Sequence, residues 1–312
     1  MRPHGRGEFL EQPEVSVAAR VDIPHDLDRA ARLVNAAMIR WLQGPAETPL
    51  RLLEAMRYSL EAGGKRLRPA LVLWSCELCD GDSARALPAA LAIECVHTFS
   101  LIHDDLPALD NDDFRRGRPS SHRQFGEATA ILAGDALLAL AFEIIATDVT
   151  DPAASVVMIR ELAEATGWRG MIGGEAADID GEARPPEAAL VGTIHAAKTA
   201  RLIEAACRLG AMAAGADKDL TDLLGRYGHE LGLAFQAADD LLDATGSAEV
   251  LGKPVRRDAE SGKQTYPRAV GLEAGRRIAE SAAERAIAAV APLGDQAARL
   301  SALARFVVER NR

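Results

Sequence analysis

A helical spacing of apolar side chains runs along almost the whole chain and limits what it can fold into. Between residues 218 and 243, apolar side chains recur at steps of three and four, so they share one face of a helix. They are Leu220, Leu223, Leu224, Tyr227, Leu231, Phe235, Ala238 and Leu242. Similar stripes cover residues 26–42, 49–61, 67–79, 84–106, 128–147, 153–172, 187–214, 268–290 and 296–310. We therefore predict an all-α fold, a bundle of about ten or more helices.

Glycine and proline separate these helices without dividing the chain into two folded halves. Breaks are expected at residues 63–64, 81, 107, 117–119, 152, 185–186, 215 and 292. No strand pattern, linker or fixed-period repeat is evident, which favours a single domain over residues 25–312. Residues 1–24 mix Gly, Pro, Arg and Glu and lack the apolar core of a signal peptide, so we predict a flexible lead-in.

The charge and hydropathy of the chain argue against several classes of partner. The 36 Lys and Arg residues against 46 Asp and Glu residues give a net charge of −10, which disfavours nucleic-acid binding. No apolar run reaches the roughly 18–20 residues that a membrane span needs, so none is expected. The four cysteines are typical of small buried residues in a reducing compartment, and we predict a cytoplasmic protein.

Two clusters of aspartate carry the first functional signal. Asp104 and Asp105 lie at the end of one predicted helix and Asp110 shortly after it, while Asp239, Asp240 and Asp243 close the most periodic helix. Asp239 and Asp243 are four residues apart and share a helix face, where their charges repel each other. A helix C-terminus also disfavours added negative charge. Magnesium would relieve both penalties, since it prefers carboxylates together with substrate phosphate oxygens. Either cluster alone is equally compatible with a solvated, acidic helix end.

Cationic residues elsewhere in the chain predict anionic ligands. The sequence GGKRLRP at residues 63–69 joins two helices, and Lys65 and Arg68 there supply groups that bind phosphate. Arg115 and Arg116 come shortly after the first aspartate cluster. Other candidates are His97, two turns before Asp104, the Lys198–Thr199 pair within an apolar helix, and Lys253. Taken alone, His97 is more typical of a core histidine. Together these residues predict two anion sites, one using metal and one using Lys and Arg directly.

At this level of detail the sequence resembles the trans-isoprenyl diphosphate synthases. Residues 97–107 (HTFSLIHDDLP) with 115–119 (RRGRP) are similar to the first aspartate-rich motif of that family, and 235–243 (FQAADDLLD) to the second. The resemblance covers about residues 27–310 and is closest to bacterial farnesyl diphosphate synthases, with two extra residues in the first motif. Further matches, in the same order, are residues 63–69, 134–136, 198–199 and 262–267.

The resemblance implies helices around a central cavity, a homodimer, and three magnesium ions per site, for which manganese can substitute. By family, the metal ligands are Asp104, Asp110 and Asp239, supported by Asp105, Asp240 and Asp243. The allylic diphosphate is held by Arg115, Lys198, Thr199, Gln236 and Lys253. Isopentenyl diphosphate is held by Gly64, Lys65, Arg68, His97 and Arg116. Lys198, Asp104 and Asp239 are the expected catalytic residues.

Two positions depart from the family pattern. Glu175 stands where the family commonly has Gln, and Ala238 stands where a second Gln is frequent. An extra carboxylate near the metal site can change metal number or affinity, so the roles of Glu175 and Asp178 stay open. Neither change removes a group that the chemistry requires.

The predicted activity joins isopentenyl diphosphate to dimethylallyl and geranyl diphosphates and makes (2E,6E)-farnesyl diphosphate. A geranylgeranyl diphosphate synthase is the alternative within the family. A terpene cyclase needs no second diphosphate site, so Gly64, Lys65 and Arg68 argue against it. A non-catalytic partner subunit would be expected to lose acidic ligands, and both clusters are intact.

Phe99 is the candidate determinant of product length. It lies five residues before Asp104, which is about 7.5 Å along a helix at 1.5 Å per residue. A ring at that depth would close the cavity below the growing chain and favour a C15 product over C20 or C10. Ordinary core packing of Phe99 is the competing interpretation.

Overall fold

Helices make up nearly all of the regular structure in the computed structural model, which describes residues 21–44, 47–245 and 262–309. The first eight helices are α1 (Ile23–Leu42), α2 (Leu50–Leu60), α3 (Leu67–Leu78), α4 (Ser83–Asp104), α5 (Ser121–Phe125), α6 (Glu127–Asp148), α7 (Pro152–Thr166) and α8 (Met171–Glu182). They are followed by α9 (Ala188–Ile194), a π-helix (His195–Ala200), α10 (Arg201–Ala214), α11 (Lys218–Thr245), α12 (Tyr266–Val270), α13 (Leu272–Val290), a 3-10 helix (Ala291–Ala297) and α14 (Ala298–Glu309). The predicted all-α class is confirmed.

Aspartate side chains fix where several helices begin. Asp22 accepts a hydrogen bond from the backbone nitrogen of His25 at 3.2 Å, so α1 begins two residues before the predicted domain start at residue 25. Asp82 and Asp151 cap α4 and α7 in the same way, at 2.9 and 3.0 Å. The predicted lead-in, apart from its last four residues, lies outside the described residues.

The long helix α11 lies at the centre of the packing and positions the second aspartate cluster. It packs against α10 and α13, while α4 packs against α3 and α6. Tyr227 of α11 is fully buried, and its hydroxyl donates a hydrogen bond to the carbonyl of Leu300 at 2.8 Å, which joins α11 to α14. The apolar stripe read from the sequence is the face that enters this core. Consequently α4 and α11 end at one cavity.

The region between residues 153 and 214 differs from the prediction. The expected helix over 153–172 ends at Thr166, and α8 follows as a separate helix that the periodicity did not predict. Gly174 lies in α8, and a Cβ there would come within 2.2 Å of the backbone nitrogen of Lys198. The glycines that lower helix propensity in α8 therefore permit its close packing on the π-helix. The Lys198–Thr199 pair lies in a π-helical segment between α9 and α10.

A short hairpin also departs from the prediction that the chain has no strand. Phe114–Arg115 pairs antiparallel with Arg118–Pro119, with Arg115 opposite Arg118. Arg116 adopts a left-handed conformation (φ 53°) and Gly117 follows it with φ 75°, which lets the chain reverse in two residues. Strands of two residues leave too little alternation to detect in the sequence. The hairpin directs Arg115 and Arg116 toward the cavity.

Two helices have the length and hydropathy of a membrane span, which the count of uninterrupted apolar residues did not anticipate. They are α4 and α6, with mean hydropathies of 1.3 and 1.9 in their most apolar windows. A core helix of a folded protein meets the same test. In α4, 72% of that window is buried inside the protein, whereas in α6 the buried share is 44%.

The cysteines occupy the positions expected of small interior residues. Cys76, Cys95 and Cys207 are buried and Cys79 is half-buried, and all four are free thiols. Burial raises the pKa of Cys76 and of Cys79 to about 11. These thiols are therefore protonated and unreactive at neutral pH.

Candidate active site

A cavity of about 770 Å³ opens between the C-terminal ends of α4 and α11. Its other walls include the start of α3, residues 109–110, the hairpin, α8, the π-helix and residues 263–265. Most of the predicted site residues line it: Arg68, His97, Phe99, Asp104, Asp110, Arg115, Arg116, Lys198, Thr199, Gln236, Asp239, Asp240 and Asp243. The volume is within the range of small-molecule sites. Gly64, Lys65 and Asp105 are outside the lining, and Lys253 lies outside the described residues.

The three aspartates of the first cluster have different environments. Asp105 is buried and turned to Arg115, whose Nε donates to its Oδ1 at 3.0 Å. Asp110 lies 2.8 Å from Nζ of Lys263. Burial alone would raise the pKa of Asp110, but Lys263, Lys198 and Arg115 hold it below its usual value. Asp105 therefore positions Arg115, while Asp104 and Asp110 face the cavity.

Asp104 has an electrostatic environment that disfavours its ionised form. Burial raises the pKa of Asp104 to about 7, and the negative charge of Glu175 adds to this, while Lys198 opposes it. A divalent cation bound at Asp104 would reverse the balance and keep the carboxylate ionised. The position thus favours a cation more strongly than an ordinary helix end does.

In the second cluster, Asp240 ties three parts of the chain together. It accepts hydrogen bonds from the backbone nitrogen of Tyr266 at 3.0 Å and from Nε2 of Gln236 at 3.3 Å. Nε2 of His195 lies 3.4 Å from the same carboxylate. Asp240 is therefore positioned by neighbouring protein groups, and it joins α11 to the π-helix and to the start of α12.

The donor set fits a metal that also binds the substrate. Among the described residues, no three acidic, histidine or cysteine side chains converge into a closed metal cage. Asp104 and Asp110 instead line the cavity from the end of α4, and Asp239 and Asp243 from the end of α11. Magnesium typically uses one or two carboxylates together with phosphate oxygens and water, so an open set of this kind suits it.

Lys198 connects the metal side of the cavity to α8. Its Nζ lies 2.5 Å from Oε2 of Glu175 and 2.7 Å from Oδ2 of Asp178. Burial lowers the pKa of Lys198, but the carboxylates of Asp178, Glu175 and Asp104 outweigh burial and raise it. Lys198 is therefore a permanent cation. Thr199, beside it, donates a hydrogen bond to Oε1 of Gln236 at 2.8 Å.

The predicted isopentenyl diphosphate side consists of Arg68, His97 and Arg116 in the cavity wall. Burial lowers the pKa of Arg68 to about 10, so its guanidinium stays charged at neutral pH. Burial and the charge of Arg68 hold the pKa of His97 well below its usual value, so His97 is neutral. Lys65 is exposed beside this wall.

Gly64 packs closely against Arg116. A Cβ at Gly64 would lie 2.7 Å from the guanidinium carbon of Arg116, and the residue has φ 124°. Arg116 also donates a hydrogen bond to the carbonyl of Gly63. Gly64 thus makes room for Arg116, which is a cavity residue.

Lys263, Gln264 and His195 line the cavity but were not identified as site residues from the sequence. Lys263 and Gln264 fall in the 262–267 stretch that carried part of the resemblance. Gln264 is buried and donates to the carbonyl of Gly181 at 2.8 Å. His195 is buried, and its Nδ1 has no hydrogen-bond partner in the described part of the chain. These three residues are distant in sequence from both aspartate clusters, so their spacing did not indicate that they lie in the same cavity.

An all-helical protein with one cavity that carries two aspartate clusters together with Lys and Arg side chains has the features of the metal-assisted enzymes that act on diphosphates. The sequence model of the Polyprenyl synthetase family matches residues 49–295, so the chain belongs to that family. It is a trans-prenyltransferase of the farnesyl or geranylgeranyl diphosphate synthase type. The predicted family and enzyme class are confirmed. The family is generally magnesium-dependent and acts on isoprenoid diphosphates.

Named relatives and solved structures support this assignment. The chain is 45% identical over 294 residues to Geranylgeranyl pyrophosphate synthase 11, chloroplastic, of Arabidopsis thaliana, covering 91% of this chain and 81% of that protein. It is 44% identical over 258 residues to Farnesyl diphosphate synthase of Geobacillus stearothermophilus, covering 81% and 86%. The apo crystal structure of an FPP/GFPP synthase from Zymomonas mobilis matches with a TM-score of 0.82 and 39% identity, over 92% of this chain and 98% of that one.

Proposed function

We propose that the protein joins isopentenyl diphosphate to dimethylallyl and then geranyl diphosphate, and so makes (2E,6E)-farnesyl diphosphate. One observation carries the proposal: a single cavity holds two separate sets of groups suited to diphosphate. One set comprises the aspartates and Lys198, and the other comprises Arg68, His97 and Arg116. Two diphosphate substrates can therefore lie side by side with their hydrocarbon parts in contact.

The allylic substrate takes the acidic side. Asp104, Asp110 and Asp239 hold magnesium, which supplies Lewis-acid stabilisation of the departing diphosphate. Lys198 is already charged and half-buried here, so it neutralises the anion as it leaves. Thr199 and Gln236 orient that diphosphate, Arg115 is held for the same purpose by Asp105, and Lys253 is proposed from the family pattern.

Isopentenyl diphosphate takes the basic side. Arg68 is half-buried and charged, its buried Nε has no hydrogen-bond partner in the described residues, and an anion can satisfy it. Arg116 is held beside it by Gly63 and fits against Gly64. Neutral His97 can donate or accept a hydrogen bond without adding charge, while Lys65 adds a cation at the rim.

The reaction follows from this placement. The allylic carbon–oxygen bond breaks, its electron pair leaves with the diphosphate, and an allylic cation remains. The double bond of isopentenyl diphosphate gives its electron pair to that cation, and a proton then passes to the departed diphosphate. Holding both substrates in one cavity can lower the barrier by several kcal/mol, on the order of what positioning supplies. Buried apolar side chains such as Phe99 and Met171 limit the access of water, which would trap the cation.

A C15 product is proposed because of Phe99. Its ring lines the cavity and is only 5% exposed, on the same helix as Asp104 and one and a half turns before it. A C20 product is the second candidate, because the relatives' names include both farnesyl and geranylgeranyl synthases. The ring at Phe99 favours the shorter chain.

We also propose a cytoplasmic homodimer. The most apolar window of α6 is only 44% buried, and Ile131 and Leu132 on this helix are 42% and 57% exposed. Val156 on the neighbouring α7 is 65% exposed. A second copy of the chain would cover this apolar area. Sedimentation of the purified protein should give twice the chain mass, and Leu132→Glu should give monomers. A monomeric wild type would contradict the dimer.

Turnover by the purified protein alone tests the proposed activity. Isopentenyl and geranyl diphosphates with magnesium should yield farnesyl diphosphate and one equivalent of diphosphate. Geranyl diphosphate supplied alone should give neither a cyclic hydrocarbon nor an alcohol as the main product. A cyclised product would favour a terpene cyclase, and absence of turnover without a second protein would favour a partner subunit.

A further inference from the structure

His103 immediately precedes Asp104 and has no role in the proposed chemistry, yet its ring lines the cavity. It lies one helical turn after Phe99, on the same face of α4. The two rings meet edge to face, with centroids 5.3 Å apart and planes at 87°. This is a favourable geometry for an aromatic pair. The orientation of the Phe99 ring therefore depends on where His103 lies.

The His103 ring packs against α6 at Gly134. Gly134 has no side chain, and a Cβ there would come within 2.3 Å of Nε2 of His103. The same nitrogen lies 3.1 Å from the carbonyl oxygen of Ile131, one turn earlier on α6. Any larger residue at position 134 would displace the imidazole. The contacts with Gly134 and with the Ile131 carbonyl therefore restrict the orientation of the His103 ring.

An ion pair between His103 and Asp135 does not explain the position of the His103 ring. Oδ1 of Asp135 lies 3.9 Å from Nε2 of His103, and the Asp135 side chain is 59% exposed. An exposed pair at that distance contributes little. The close contacts of His103 are with Gly134, the Ile131 carbonyl and Phe99.

We propose that His103, seated against Gly134, is a specificity-determining residue that holds the Phe99 ring across the cavity and thereby limits product length. The inference rests on the proposed condensation. It adds that the cavity floor is a three-residue stack from α6 to α4 and not one side chain. Loosening His103 lets the Phe99 ring rotate away and opens space below the growing chain.

Product analysis of single and double variants tests the stack. His103→Ala should raise the ratio of C20 to C15 product by about two- to tenfold, the preference that one such aromatic pair supplies. Phe99→Ala should raise it at least as much, and the double variant should match Phe99→Ala. His103→Phe keeps the edge contact with Phe99 and should leave the product ratio at the wild-type value. Asp135→Asn changes only the distant contact with Asp135 and should also leave the ratio unchanged. An unchanged ratio in His103→Ala, or additive effects in the double variant, would overturn the proposal.

A measurement independent of turnover separates this inference from the proposed activity. In protein labelled with 4-fluorophenylalanine, the ¹⁹F signal of Phe99 is identified by its loss in Phe99→Leu. That signal should move in His103→Ala and in Gly134→Ala, and stay in place in Asp135→Asn. A signal that moves in an inactive protein would support the stack while refuting the activity. A Phe99 signal indifferent to His103→Ala would overturn the stack even in an active synthase.

Discussion

Removing Glu94 should destabilise the protein strongly, because it leaves a buried guanidinium without its counter-ion. Nη1 of Arg66 lies 2.5 Å from Oε1 of Glu94, and both side chains are only 3% exposed. Arg66 also donates to Oδ1 of Asn35 at 3.1 Å and to the carbonyl of Leu60. Neither of these acceptors carries a charge. Breaking a buried pair from one side typically costs about 3–5 kcal/mol, and we expect this range for Glu94→Ala.

The assay is urea unfolding followed by circular dichroism, with the slope checked so that free energies are comparable. Glu94→Gln keeps an oxygen acceptor and should lose less than Glu94→Ala. The double change Arg66→Met with Glu94→Leu removes both charges and should lie much nearer to wild type. Asp28→Ala is the control: its partner Arg32 and Asp28 itself are each 62% exposed, so the loss should stay below about 1 kcal/mol.

Glu94→Ala should also affect substrate binding, because its partner Arg66 lies between Lys65 and Arg68 in the sequence. Arg66 has φ 46° at the start of α3, a conformation that its buried pair helps to hold. Glu94→Ala should therefore raise KM for isopentenyl diphosphate more than KM for the allylic substrate. A loss of stability within about 1 kcal/mol of the Asp28→Ala control would refute the reasoning.

Three further predictions concern the cavity. Burial lowers the pKa of His195 to about 4, so the folded protein favours the neutral imidazole. The contribution of neutral His195 to the free energy of unfolding should be fully present above about pH 6.5. As the pH drops toward 4, the free energy of unfolding should fall by up to about 3 kcal/mol. His195→Gln should flatten that slope, exposed His25→Gln should not, and a slope unchanged in His195→Gln would contradict the assignment. Arg68→Ala should chiefly raise KM for isopentenyl diphosphate and Lys198→Ala should chiefly slow use of the allylic diphosphate; effects on the same substrate would show the two sites are misassigned. Asp104→Ala should lower turnover by orders of magnitude without unfolding the chain, and excess chelator should abolish wild-type activity, whereas full activity in chelator would exclude the metal role.

The sequence predicted the parts of the fold that depend on regular periodicity. The stripe through Leu224 and Leu231 correctly gave α11, because those side chains enter the core at every turn. The helix α8 was missed because its sequence, with glycines at positions 173, 174 and 181, has no clear apolar stripe. Their purpose, close approach of Gly174 to the backbone of Lys198, depends on a neighbour distant in sequence. Gly64 likewise makes room for a residue distant in sequence, the side chain of Arg116.

The predicted site residues were largely brought together, because the motifs name residues at helix ends that meet in one cavity. What spacing could not give is how each group is oriented. Asp105 and Asp104 are adjacent in sequence, yet one binds Arg115 and the other faces the cavity. Lys263 reaches Asp110 only through the fold, and the stack of Phe99, His103 and Gly134 depends on contacts between α4 and α6.

Product length from separate starters is the most direct test of the central claim. The purified protein is incubated with magnesium, isopentenyl diphosphate and one allylic starter at a time: dimethylallyl, geranyl or farnesyl diphosphate. Chromatography of the dephosphorylated products then gives the chain lengths. We predict C15 alcohol as the main product from the first two starters and almost no extension of the third. Efficient extension of farnesyl diphosphate to C20 would contradict the farnesyl assignment, and no extension of any starter would contradict the prenyl-transfer account itself.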